Sequence, residues 1–224
     1  MIRMPSSVIK ENGISLFPRE RSSSKRPTPS IGINSINNGD KTMERIIKAV
    51  TENEMNSTLD FVEKVFTDSE DAESGKLVRS LLAEIRSKKY YVPELDLIMV
   101  NEKDEIMGHV LFSRFHIEGK YENEFLMLTP VSVKTELQRQ HISKELIEYG
   151  LEKAKDLGYK FCMVEGNPEN YRSRGFLTSA DFGIFADESV GLPDPVCLMV
   201  RELVPGALVG VGGYINYQMY ESLR

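Results

Sequence analysis

The sequence has little that would support redox or metal chemistry. Of its 224 residues only two are cysteine, Cys162 and Cys197. Both stand in apolar runs, so buried reduced thiols are expected rather than a disulfide or a cysteine nucleophile. The three histidines do not combine into a metal set. His109 and His116 fall in one expected strand and His141 in a polar turn, none with a carboxylate or cysteine at ligand spacing. No Gly-x-Ser-x-Gly elbow is present, which leaves a Ser-His-Asp hydrolase without its nucleophile. No apolar run is long enough to cross a bilayer and no signal-peptide core follows Met1, so a cytoplasmic chain without a membrane partner is expected.

Charge is uneven along the chain. Residues 1–42 hold seven Lys/Arg against three Asp/Glu, with eight Ser and four Pro, and show little apolar periodicity. An unstructured arm is expected there, with an organelle-transit segment as the alternative. The formal net charge of −6 for the whole chain leaves −10 on residues 43–224. That sign makes nucleic acid a poor partner and favours the approach of a cationic one. A content of 41% hydrophobic and 28% charged residues suits one domain with a sizeable core over residues 43–224.

Periodicity from Met43 onward reads as β-α-α-β-β-β-α-β-α-β-β, the order of a mixed α/β domain. Glu44 to Val50 is an expected strand. Thr51 and Glu54 have capping-box spacing before a helix through Leu59, Val62 and Phe66. A second helix places Leu77, Leu81 and Ile85 on one face. Leu95 to Val100 and Ile106 to Ile117 read as strands joined by a polar turn over residues 101–105. From Leu128 to Leu146 the chain reads as an apolar strand, a polar turn and a helix start, and the helix stripe is Leu146, Ile147, Leu151, Ala154 and Leu157, ending at Gly158. Tyr159 to Val164 is a short buried strand. Asn167 and Pro168 are a cap and first helical residue for a short helix carrying Tyr171.

The strand, turn and helix from Leu128 to Leu146 carry the chemistry. A helix start leaves unpaired N–H groups and a partial positive charge, which suits an anion such as a pyrophosphate. The run Gln138-Arg139-Gln140-His141-Ile142-Ser143 resembles the Gln/Arg-x-x-Gly-x-Gly/Ala signature of the GNAT superfamily of N-acetyltransferases. His141 and Ser143 stand where that signature has small residues. Tyr171, four residues before Gly175-Phe176, resembles the family's catalytic tyrosine, and Gly108-His109-Val110-Leu111-Phe112 its third strand. Residues 202–210 and 213–217, with Gly183-Ile184 and Gly191-Leu192-Pro193, are similar to the tail of a bacterial branch of predicted N-acetyltransferases.

The resemblance implies a central, twisted, mostly antiparallel sheet with a splayed strand pair, flanked by helices. It also implies acetyl-CoA as co-substrate, no metal, and a small-molecule or protein amine as acceptor. Val131, Val133, Gln138, Arg139, Gln140, His141, Ser143 and Lys144 are then the expected coenzyme contacts. The N–H of Val133 would serve as oxyanion donor. Tyr171 would protonate the leaving thiolate, since a phenol with an ordinary pKa of about 10 holds its proton at neutral pH. Glu124 and Glu165 are the carboxylates considered for the base, although surface positions are the favoured reading of both. A non-catalytic acyl-CoA-binding or regulatory module, with His141 marking a degraded loop, is the alternative. A homodimer through a sheet edge or the C-terminal segment is compatible with the sequence, which fixes no symmetry.

Overall fold

The structure is a computed structural model that describes residues 45–223; the expectations for residues 1–42 lie outside the described residues. Nine strands are present among them: β1 (Ile46–Ala49), β2 (Asp96–Val100), β3 (Ile106–Arg114), β4 (Phe125–Val133), β5 (Phe161–Glu165), β6 (Leu177–Thr178), β7 (Ile184–Ala186), β8 (Leu198–Glu202) and β9 (Gly213–Ile215). The helices are α1 (Met55–Ser69), α2 (Ala72–Ser87), α3 (Ile142–Asp156) and the single turn α4 (Pro168–Tyr171). None is long and apolar enough to cross a membrane.

Seven strands form one sheet in the order β1-β2-β3-β4-β5-β8-β6, while β7 and β9 form a separate parallel pair. Every pairing in the large sheet is antiparallel except β4 with β5. That parallel pairing runs only from Phe125↔Phe161 to Met127↔Met163. Beyond it β4 continues to Val133 still paired with β3, whereas β5 ends at Glu165 paired with β8. The two central strands therefore part company, and the sheet opens between them.

The helices cover both faces. Gly150 of α3 approaches β2 and β3 so closely that a Cβ there would lie 2.2 Å from Phe112 Cε2, so α3 covers the face of Phe112 and Leu97. Asp96 precedes Leu97 in β2 and points the other way, where Arg86 of α2 binds it. The pair α1 and α2 covers that second face. Their own contact is equally close, since a Cβ on Gly75 would lie 2.1 Å from Thr67 Oγ1.

Most expected elements are present with shifted ends. The capping box of Thr51 and Glu54 forms, but on a 3-10 turn (Glu52–Glu54) that leads into α1. Lys48, then Thr51, hold the Glu54 carboxyl down to about 2. In α2 the buried stripe is Val78, Leu81, Leu82 and Ile85, with Leu77 only half-buried, and Asp71 caps the helix. Leu157 lies past the end of α3 and is exposed. The strand expected to reach Ile117 stops at Arg114 and the chain continues into a bridge between Ile117 and Lys120. Four strands, not two, follow α4.

Candidate active site

The opening between β4 and β5 exposes backbone of a known polarity. The N–H of Lys134 donates to Met107 O at 3.0 Å, and alternate residues of an antiparallel ladder face the same neighbour. Ser132 therefore shares Lys134's side and turns towards β3, while the N–H and C=O groups of Val131 and Val133 turn towards the opening. Both valines keep a trace of surface, 6% and 8%.

Past Val133 the chain makes a 3-10 turn (Thr135–Leu137) and enters α3 through two left-handed residues. Arg139 and His141 both have φ +64°. Left-handed backbone is where glycine is favoured, so His141 adopts the shape of the residue it replaces. The histidine is exposed and its side chain makes no cap bond to α3. By contrast Asp71 caps α2 and Asn167 caps α4. The first intrahelical bond is Glu145 N–H to His141 O at 2.9 Å, which leaves the N–H groups of Ile142, Ser143 and Lys144 without an intrahelical acceptor. Such a concave, uncapped start with cationic side chains beside it fits a pyrophosphate.

The cradle is held from behind by Arg45, whose Nη1 donates to Gln140 O at 3.0 Å and to Glu145 Oε1 at 2.8 Å. Arg139, Gln140 and Lys144 are exposed and Gln138 is half-buried. Ser143 Oγ accepts from Arg174 Nη2 at 3.1 Å. Arg174 also donates to Asn170 O and stands over the Tyr171 ring, its guanidinium carbon 5.6 Å from the centroid. One guanidinium thus joins the cradle to the tyrosine. Tyr171 itself is buried, with its ring edge-on to Phe176 at 5.7 Å.

The two carboxylates weighed for the base separate clearly. Glu124 is partly exposed and pairs with Lys160 at 3.1 Å, as a surface carboxylate does. Glu165 is not at the surface: it is 6% exposed at the end of β5, on a strand buried along its whole length. Burial pushes its carboxyl up, and the one bond it accepts among the described residues, from Tyr217 Oη at 2.6 Å, only partly opposes that. Tyr217 is pushed well above the usual phenol range by its own burial and by the Glu165 charge. A water-sized cavity lies against the pair, bordered by Thr129, Leu81, Met127 and Tyr220. Thr129 Oγ1 is buried there without a hydrogen-bond partner.

Tyr217 reaches Glu165 because the C-terminal segment is clamped onto α2. Glu84 accepts the backbone N–H groups of Glu221 at 2.7 Å and Ser222 at 2.8 Å, and Lys88 pairs with Glu221 at 2.7 Å. Sequence reasoning noted the stretch containing Tyr217 without assigning it a role. It also missed Arg45 and Arg174, whose contacts join residues 95 and 31 positions apart. Glu165 did carry a signal, since it continues an apolar strand with no turn residue before it.

With this geometry in hand, known proteins supply the comparison. The family described as "Acetyltransferase (GNAT) domain" matches residues 46–178. The chain belongs to the GNAT acetyltransferase family. Among relatives, the uncharacterised N-acetyltransferase YhbS of Escherichia coli K12 is 24% identical over 127 residues, 55% of this chain and 71% of that protein. A second uncharacterised N-acetyltransferase of that strain, YjhQ, is 28% identical over 143 residues, 62% of this chain and 76% of that protein. The crystal structure of E. coli YhbS in complex with CoA superposes with a TM-score of 0.70 at 19% identity, covering 81% of this chain and 94% of that one. A GNAT family acetyltransferase from Brucella melitensis in complex with acetyl-CoA gives 0.52 at 25% identity, covering 60% and 83%. As a GNAT member the protein is an acyltransferase of the acetyl-CoA-dependent class.

Proposed function

We propose that the protein transfers the acetyl group of acetyl-CoA to a primary amine by direct attack within a ternary complex. Residues 138–144 bind the pyrophosphate, with Arg139, His141 and Lys144 at the rim and Ser143 inside the first turn of α3. The outward-facing backbone of Val131 and Val133 receives the pantetheine arm and the thioester. As the amine attacks, charge grows on the carbonyl oxygen, and the N–H of Val133 is the donor aimed at it. One such donor is worth about 2.7–4 kcal/mol in other enzymes.

Proton bookkeeping assigns the two side chains. An ammonium has no lone pair, so a base must take its proton before the C–N bond forms, and Glu165 is suited to that step. Its raised proton affinity brings it closer to the working pH, where general bases are most effective. When the C–S bond breaks, Tyr171 gives its proton to the sulfur, and the second proton shed by the amide nitrogen restores the phenol. The observation that carries this reading is Glu165, a carboxylate buried where the sheet opens, holding one hydroxyl donor and no cation among the described residues.

Two measurements on the full chain test the reading. Saturating acetyl-CoA should raise the melting temperature, since a ligand at 100 times its Kd stabilises by about 2.7 kcal/mol. A folded sample with no shift would overturn the donor. Tyr171→Phe should keep that shift and lose most turnover on a panel of amines. Unchanged rates at every pH would remove Tyr171 from the mechanism.

A further inference from the structure

Beyond β8 lies a second and larger cavity, of about 280 Å³. The 3-10 turn Ser179–Phe182, strand β7 and the loop after it line it. Its walls are apolar, chiefly Ile184, Val190, Leu192 and Leu198, and Asp187 is the only charged residue among those lining it. The Ser189 hydroxyl holds the Asp187 carboxyl below its usual range despite partial burial, so the cavity has a fixed negative charge and no lining cation. At its margin Phe185 and Tyr214 are both exposed, their ring centroids 5.8 Å apart.

Leu198 ties this cavity to the site already described. It stands directly opposite Glu165 in the β5–β8 ladder, and opposed residues place their side chains on the same face of a sheet. One wall of the cavity is therefore the neighbour of the buried carboxylate. The volume is near the lower end of small-molecule pockets, about 300–1,000 Å³. It is too small for a folded partner. A polyamine, with several cations, would meet one carboxylate and a largely apolar wall.

We propose that this cavity receives the apolar body of a small monoamine, of the alkylamine or arylalkylamine class, with its amino group towards the β5–β8 ladder that carries Glu165. The assignment rests on the transfer reading above and names the acceptor for it.

The probes are 2-phenylethylamine and spermidine, with acetyl-CoA saturating. Ala186→Phe fills the cavity from β7, and Leu192→Ala enlarges it from the half-buried loop, where folding is least at risk. The expected result is a higher kcat/KM for 2-phenylethylamine than for spermidine. Its KM should rise about tenfold or more in Ala186→Phe and several-fold in Leu192→Ala, with the KM for acetyl-CoA held within about twofold. Turnover of 2-phenylethylamine with its KM unmoved in both variants would overturn the cavity while leaving the transfer reading intact, as would a preference for spermidine. If no amine is turned over, calorimetric titration of 2-phenylethylamine into the CoA-loaded protein decides. Saturable binding abolished by Ala186→Phe would keep the cavity as an amine site and sink the transfer reading. An absence of binding would overturn the cavity.

Discussion

Asp96 in β2 and Glu165 in β5 are carboxylates buried in the same sheet, and their surroundings differ in one respect that decides their roles. Asp96 is met by three donors: His109 Nε2 at 2.7 Å, Arg86 Nε at 2.8 Å and Tyr91 Oη at 2.9 Å. Burial alone would push its carboxyl up, but the bonds from His109 and then Arg86 outweigh burial and hold it below its usual range. Glu165 has burial and one phenol, and its carboxyl is pushed up. A buried acid with an arginine and two further donors around it has its charge compensated and acts as a structural tie between α2, β2 and β3. A buried acid without them retains an appetite for a proton. Burial by itself therefore distinguishes neither role; the count and charge of the donors do.

The comparison is broken most directly at Glu165. Glu165→Gln keeps the shape and the Tyr217 contact but removes the proposed base, so turnover should fall about 10²–10⁴-fold with acetyl-CoA binding retained. Its stability should move the opposite way. Glu165 binds its proton more tightly folded than unfolded. The stability this proton brings is complete below the ordinary carboxylate value of 4.5 and is lost as pH rises through the raised folded value. Gln escapes that loss, so the variant's melting temperature should gain on the wild type as pH increases. A variant less stable than wild type at alkaline pH would mean that Glu165 is compensated after all.

Asp96→Ala should give the reverse pattern. It strands Arg86, 6% exposed, and the fully buried His109, and breaking a buried pair costs about 3–5 kcal/mol. For a chain of this size that corresponds to a melting temperature lower by about 10 °C. The depressed folded pKa adds a pH signature. Asp96 contributes stability above its unfolded value of 3.8, lost as pH falls through the lower folded value. If the melting temperature of Asp96→Ala stays within about 2 °C of wild type, the tie is not structural in the sense argued.

Tyr217→Phe sharpens the comparison by removing the one donor that Glu165 has. The lost hydrogen bond should cost about 1 kcal/mol. With nothing left to oppose burial, Glu165 should bind its proton still more tightly, and the acid limb of the pH–rate profile should shift to higher pH. An acid limb that does not move would separate Tyr217 from the base.

These two acids also mark what the sequence made legible. Strands and helices that bury a continuous stripe were readable: β2, β3, α3 and β5 fell close to their expected places, and the cradle residues 138–144 were found as a turn before a helix. Relations between distant segments were not readable. Asp96 and His109 are 13 residues apart and join across a strand register; nothing local announces it. Glu165 read as a surface carboxylate because carboxylates are seldom buried, yet the C-terminal segment folds back over the strand and closes it off. That closure depends on Glu84 receiving the N–H groups of residues 137 and 138 positions away. The small strands β6, β7 and β9 have two or three residues each, too few for any periodicity to register.

The smallest expected effect lies at His141, outside both acid systems. An L-residue in left-handed backbone costs about 1–2 kcal/mol, while a glycine in the same place gives back roughly 0.5–1 kcal/mol in unfolded-chain entropy. His141→Gly should therefore stabilise by about 0–1.5 kcal/mol, a rise of at most about 6 °C. It should leave the pH dependences of the two acids unchanged. The donor's affinity then separates two roles for the ring. A tighter acetyl-CoA complex would mean that the imidazole crowds the cradle and that backbone N–H groups carry the phosphate alone. A weaker one would mean that the ring donates a hydrogen bond of its own, and that the histidine does the work of a ligand in the conformation of a glycine.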